Sequence, residues 1–187
     1  GLPLIIRFNE ETIKTVGFDI DEDKVNLLNN GKSYIKHIKD SEILSIANNG
    51  FIATSDFSKI SELEAIIICV PTPLGTHNEP DLSYITSTLV SIKPHLKENQ
   101  LLVLESTTYP GTTEEILVPF INSIQNQESK IKNHKFTLGV NFYLGYSPER
   151  EDPGNPRHST TTTWRSLTVL SNQPMASGVL TGAHTSR

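Results

Sequence analysis

Leu101-Leu-Val-Leu-Glu-Ser-Thr-Thr-Tyr-Pro-Gly-Thr-Thr-Glu-Glu115 decides the fold class. An apolar run stops abruptly in hydroxyls, a carboxylate and a Pro-Gly pair. A buried strand that delivers polar groups to the edge of a sheet reads this way. The pattern recurs in Leu144-Gly-Tyr-Ser-Pro-Glu-Arg-Glu-Asp-Pro-Gly-Asn-Pro156. Open α/β sheets bind ligands in the crevice outside the carboxyl ends of their strands. These two turns are therefore where chemistry is expected.

Working outward, strand and helix signals alternate. Leu2 to Asn9 reads as a helix with an apolar face at Leu4, Ile5 and Phe8, and Lys14 to Asp19 as a short strand ending in an acid. Asp21 to Gly31 reads as a helix, with acids in its first turn and a glycine offering a left-handed stop. Ser41 to Asn48 reads as a helix ending at Asn49-Gly50, Phe51 to Thr54 as a strand, and Phe57 to Leu63 as a helical turn. The continuous Ile/Val content of Ala65 to Val70 predicts a fully buried strand. A loop follows over Pro71 to Pro80, then a helix capped by Asp81 and running to about Leu96. Leu101 to Glu105 and Phe142 to Tyr146 are further strands. Between them Gly111 to Ile124 starts as a helix that Pro119 bends or shortens. This alternation predicts a doubly wound, mostly parallel α/β sheet of Rossmann-like type.

Composition narrows the function classes. The 187 residues carry a formal charge of -5 with scattered basic residues, which argues against nucleic acid as a partner. The longest apolar run, Ala65 to Val70, is far too short to span a bilayer. Gly1-Leu-Pro-Leu-Ile-Ile-Arg7 does not read as the basic n-region and cleavage site of a signal peptide, and one cysteine excludes an internal disulfide. A cytoplasmic protein without membrane contact or metal is expected. Cys69 sits in the Ala65 to Val70 run, where core packing is the ordinary role of a small apolar residue.

An acid ending the second strand of a dinucleotide fold accepts hydrogen bonds from the adenosine ribose and disfavours a 2′-phosphate. Asp19 stands in that position, although Asp19 or Asp21 could equally cap the next helix. Gly1 lies at the right spacing to be the last glycine of a G-x-G-x-x-G loop.

Gly1-Leu-Pro-Leu4, Gly17-Phe-Asp-Ile-Asp-Glu-Asp-Lys-Val25, Ile68-Cys-Val-Pro-Thr-Pro73 and Glu79-Pro-Asp-Leu-Ser-Tyr84 occur in order with the two turns quoted above. Together they resemble the NAD-binding region of the UDP-glucose/GDP-mannose dehydrogenase family, and most of all its UDP-N-acetylglucosamine 6-dehydrogenase branch. The resemblance covers residues 1–156 and implies an NAD-dependent enzyme of polysaccharide biosynthesis. Such an enzyme oxidises a nucleotide-sugar C6 alcohol to a carboxylate through a cysteine thioester. The resemblance implies that Gly1, Asp19, Lys24, Thr72 and Thr107 bind the cofactor. Thr107 and Glu149 would position the hydrolytic water. Glu149, Arg150, Glu151 and Asp152 would lie beside the nucleotide sugar. Full-length members are expected to be homodimers or larger. The expected sheet lacks its first strand in this sequence, making residues 1–156 an incomplete domain.

Two departures bear on activity. Pro153 stands where the UDP-glucose enzymes carry a second acid, as in the N-acetylhexosamine branch. The family's Cys-Phe-Pro-Lys-Asp segment is not in these 187 residues, so this chain alone is expected to be inactive. After Pro156 the sequence turns Ser/Thr-rich, and residues 157–187 read as a divergent, disordered tail with Leu167 to Leu170 its one candidate strand. A frameshift, a mis-joined reading frame and an unrelated natural end all account for this break. The other readings are a non-catalytic dinucleotide-binding module or pseudogene product, and a relative acting on UDP-glucose, GDP-mannose or UDP-N-acetylmannosamine.

Overall fold

A computed structural model describes residues 1–75, 79–109, 111–125, 136–147 and 168–170. The chain divides into two compact units, Gly1–Phe57 and Ser58–Arg187.

The first unit runs α1 (Leu2–Glu10), β1 (Val16–Phe18), α2 (Glu22–Asn29), α3 (Asp40–Asn48) and β2 (Ile52–Thr54). β1 and β2 are parallel, with Val16 opposite Ile52 and Phe18 opposite Thr54. Local chemistry sets the helix ends. The Asp21 carboxylate accepts the N–H groups of Asp23 (3.1 Å) and Lys24 (3.3 Å), capping α2. Gly31, at φ +70°, ends it. Gly31 N–H donates to the Leu28 carbonyl and Lys32 N–H to that of Leu27, which is the Schellman arrangement. Gly50, at φ +91°, ends α3 in the same way, with Gly50 bonded to Ala47 and Phe51 to Ile46. Both stops match the sequence reading. The core beneath joins Leu2, Val25, Leu28, Ile38, Ile43, Ile46, Phe51 and Ala53, with Ile5, Ile6 and Ile35 packed against it.

The face of α1 differs from expectation. Leu2 and Asn9 are its buried residues, while Leu4, Ile5 and Phe8 are half-buried. Asn9 is held inside because its Oδ1 accepts the Asn49 side-chain amide at 2.9 Å, a contact 40 residues away in sequence. On the other side, the Asn29 side chain both donates to the Ala53 carbonyl and accepts its N–H, each at 2.9 Å. A side-chain amide thus satisfies the strand edge that β1 leaves open.

The second unit contains β3 (Ala65–Ile68), α4 (Ser83–Ile92), β4 (Gln100–Leu104), α5 (Val118–Gln125), β5 (Phe142–Tyr146) and β6 (Thr168–Leu170). The sheet order is β3-β4-β5-β6, parallel except for the antiparallel β5–β6 pair. Ile85, Leu89, Leu102, Leu104, Leu117, Ile121, Phe142 and Leu144 are buried in it to within 1% of full burial. Gln100 is equally buried and ties off three backbone groups: its Nε2 donates to the carbonyls of Ile60 (2.9 Å) and Leu63 (2.8 Å), and its Oε1 accepts Lys97 N–H (2.8 Å).

Three expectations are corrected here. β3 stops at Ile68, with Ala65 exposed and Ile67 half-buried, so it is not buried throughout. Cys69 lies just past its end and is partly exposed rather than packed inside the strand. The helix expected to reach Leu96 ends its α-helical part at Ile92 and tightens into a 3₁₀ turn over Lys93–His95, where Pro94 enters. Thr113–Leu117 forms a π-helical turn that leads into α5. Pro119 therefore falls in the first turn of α5, directly after the π-turn.

Candidate functional site

The carboxyl edge of the second unit's sheet is tied together by the polar residues that end its strands. Glu105 N–H donates to the Ile68 carbonyl (2.8 Å) and Ser147 N–H to that of Leu104 (2.9 Å), extending the ladders one residue past the strands. Ser106 Oγ donates to the Val70 carbonyl at 2.7 Å. Thr72 Oγ1 donates to the Thr107 carbonyl at 2.6 Å, so the structure brings these two threonines together. Thr107 itself is exposed at the edge. Beside it, the Thr108 hydroxyl oxygen is buried and has no hydrogen-bond partner among the described residues. Sequence reasoning missed Thr108, because a hydroxyl's lack of a partner is not written in its neighbours.

The turn that follows is braced. Tyr109 donates its hydroxyl to Glu115 Oε2 at 2.8 Å, which raises the tyrosine pKa chiefly through that bond. Thr112 Oγ1 returns to the Tyr109 carbonyl at 2.8 Å, and Gly111 adopts φ +102°, which a residue with a side chain rarely takes.

In the first unit the acid expected at the end of β1 is there. Asp19 N–H donates to the Thr54 carbonyl at 3.3 Å, continuing the β1–β2 ladder by one residue. Its Oδ1 accepts Asp21 N–H at 3.0 Å, which fixes the carboxylate at the strand's end. Its Oδ2 lies 3.7 Å from Lys24 Nζ, and Asp21 Oδ2 lies 3.4 Å from the same ammonium. The Asp19 side chain is 31% exposed and so open to a ligand. Asp19 and Asp21 divide the two roles between them: Asp21 caps α2, and Asp19 takes the strand end.

Tyr34 completes this cluster. The Lys24 ammonium sits over its ring, 5.7 Å from the centroid. Burial works against the Lys24 charge, but Asp19 and the hydrogen-bonded Asp21 outweigh it and raise the pKa. The Asp21 carboxyl is lowered, first by its bond from Lys24 N–H. Partial burial, then the Asp19 charge, pushes the Tyr34 phenol up. Nothing in the Gly31-Lys-Ser-Tyr34 spacing announces this role, since the ring meets Lys24 across the α2 stop.

Gly1 is the N-cap of α1, whose first turn carries neither a side-chain cap nor an acid. Glu149, Arg150, Glu151 and Asp152 lie outside the described residues. Among the described residues no cluster of His, Cys, Asp and Glu could hold a metal ion, and no helix is long and apolar enough to cross a membrane.

Parallel strands crossed over by helices, with an acid closing β1, define a dinucleotide-binding protein of the Rossmann type. The residues present fit such a ligand: an accessible carboxylate at the strand end and an uncapped, acid-free helix start. A sequence model of the NAD binding domain of the UDP-glucose/GDP-mannose dehydrogenase family matches residues 1–176. The chain belongs to that family, and its cofactor is NAD. It is 34% identical over 161 residues to the UDP-N-acetyl-D-glucosamine 6-dehydrogenase of Salmonella typhi, covering 86% of this chain and 35% of that protein. It is 36% identical over 157 residues to the UDP-N-acetyl-D-mannosamine dehydrogenase of Campylobacter jejuni, covering 82% and 37%. The solved UDP-D-ManNAc dehydrogenase of Pyrococcus horikoshii matches with a TM-score of 0.74 at 28% identity, over 92% of this chain and 39% of that one. The chain thus spans about a third of the length of the curated relatives it matches.

Proposed function

We propose that this chain is the NAD-binding part of a nucleotide-sugar 6-dehydrogenase that oxidises the C6 alcohol of UDP-N-acetylglucosamine to a carboxylate. The observation that carries the reading is the 34% identity to the Salmonella typhi enzyme across 86% of the chain. The Pseudomonas aeruginosa protein of the same name supports it at 32% over 158 residues. The mannosamine epimer is the second reading, favoured by the Campylobacter jejuni relative at 36%.

Bound NAD supplies the hydride acceptor. Asp19 would accept hydrogen bonds from the adenosine ribose diol, with Lys24 beside the same end of the cofactor, and Gly1 would serve as the last glycine of the phosphate-binding loop. Thr72 and Thr107, joined by their 2.6 Å bond, would line the nicotinamide side. Thr107 with Glu149 orients the water that hydrolyses the acylated thiol, and Glu149 takes its proton. Arg150, Glu151 and Asp152 contact the nucleotide sugar.

Carrying an alcohol to an acid removes two hydrides and adds one water, and a thiolate keeps the aldehyde bound between the two transfers. The thiol of this sequence, Cys69, lies just past the end of β3 and outside any Cys-Phe-Pro-Lys-Asp segment, which is where the family resemblance puts the nucleophile. The 187-residue chain by itself should therefore form no NADH from UDP-N-acetylglucosamine. A protein that supplies both the family's first strand ahead of Gly1 and its downstream domain with the cysteine segment should form two NADH per sugar, followed at 340 nm. Faster turnover of UDP-N-acetylmannosamine would reverse the substrate assignment. NADH formation by the isolated chain, persisting in Cys69→Ser, would overturn the mechanism.

A further inference from the structure

The Lys24 ammonium is held from three sides. Asp19 and Asp21 approach it at 3.7 and 3.4 Å, and the Tyr34 ring lies beneath it. The two carboxylates alone would leave a long, flexible chain free to swing, since exposed ion pairs restrain little. A ring face is different. It attracts the cation without offering it a hydrogen bond, and it blocks one side of the side chain's arc. Tyr34 is 40% exposed and comes from the segment after the Gly31 stop, on an element separate from both acids.

We propose that Tyr34 is a positioning residue for the adenosine end of the site: its ring keeps Lys24 docked on Asp19 and Asp21, and so strengthens the preference for a free ribose diol over a 2′-phosphate. The inference rests on the reading that Asp19 receives the ribose diol. With Lys24 docked, a 2′-phosphate meets a carboxylate pair whose cation is already engaged. With the ring removed, the ammonium swings out and can pair with that phosphate. Cation–π attraction at a partly exposed site corresponds to about a two- to fivefold change in an equilibrium. The NAD:NADP affinity ratio should fall by about that factor when the ring is lost.

The test is calorimetric titration of the 187-residue chain with NAD and with NADP, in the parent and in Tyr34→Phe and Tyr34→Leu. Tyr34→Phe keeps the ring and should keep the ratio. Tyr34→Leu should lower it about two- to fivefold, mainly by tightening NADP. In the free protein, NMR should show the Lys24 ε-methylene protons shifted upfield in the parent and in Tyr34→Phe but not in Tyr34→Leu. An unchanged ratio in Tyr34→Leu, or an equal change in both variants, overturns the proposal. So does proportional weakening of both cofactors, which is what a purely structural role produces. Asp19→Ala reports separately on the underlying reading. If it leaves the NAD preference intact, or if the parent binds no NAD, that reading fails and takes the selectivity role of Tyr34 with it, whatever the NMR shows of the ring contact.

Discussion

Asp19→Asn isolates the charge of the acid proposed to hold the ribose from its place in the fold. Asp19 Oδ1 accepts the Asp21 N–H at 3.0 Å, and an asparagine oxygen can keep that bond. What changes is the strength of the bonds to the ribose hydroxyls. Hydrogen bonds to a charged acceptor contribute about 1.5–3 kcal/mol and neutral ones about 0.5–1.5, so NAD should weaken by about 1–1.5 kcal/mol, or roughly 5- to 13-fold. NADP should gain. At about 4 Å in a water-like dielectric, one pair of unit charges interacts by about 1 kcal/mol. That dielectric is the right choice because the Asp19 side chain is 31% exposed. A 2′-phosphate carrying roughly 1.5–2 charges is therefore relieved of about 1.5–2 kcal/mol of repulsion. The two effects together should shift the NAD:NADP ratio roughly a hundredfold towards NADP. Calorimetric titration at fixed ionic strength measures this directly, with a thermal melt to confirm that the variant is folded. A folded Asp19→Asn protein whose ratio moves less than about threefold would refute the ribose assignment.

Two further outcomes follow from the packing and the charges. Gln100→Leu deprives the carbonyls of Ile60 and Leu63 and the N–H of Lys97 of their partner, and should cost about 2–4 kcal/mol in urea unfolding; a loss below about 1 kcal/mol would mean water replaces the bonds. The Asp40 carboxyl is held below its usual range, first by Ser33 N–H and then by Lys32 Nζ, each at 2.9 Å, so its stabilisation is present above about pH 4 and lost as pH falls through the folded value. Asp40→Asn should therefore be less stable than the parent at pH 7 and converge on it below about pH 4, and a gap in chemical-denaturation midpoints that is as wide at pH 3 as at pH 7 would contradict the linkage.

Much of the fold was legible because its signals are local. The φ +70° and φ +91° stops at Gly31 and Gly50 were readable, since only a residue without a Cβ takes such angles at little cost. The strand Phe142–Tyr146 coincides with its expected span, bounded on one side by Asn141 in a turn and on the other by Ser147. What could not be read depends on partners far along the chain. Asn9 is buried in place of Phe8 because Asn49 meets it 40 residues later. The π-turn over Thr113–Leu117 leaves no mark in composition, and only the position of Pro119 hinted that the helix was not uniform.

The site divides along the same line. The place of Asp19 at the end of β1 was legible because the end of a strand is a local event. The helix cap proves to belong to Asp21, two residues on, and the Asp21 N–H, bonded to Asp19 Oδ1, fixes the first acid at the strand end. Tyr34 was illegible for the opposite reason. Its contact with Lys24 exists only because Gly31 turns the chain back after α2, so the ring's position follows from the Schellman stop rather than from any motif of its own. A glycine chosen for its backbone thereby determines which aromatic side chain stands under the cation. Residues that tune a site without belonging to its motif are to be sought just past such stops, where the reversal of the chain places new side chains beside the helix that has ended.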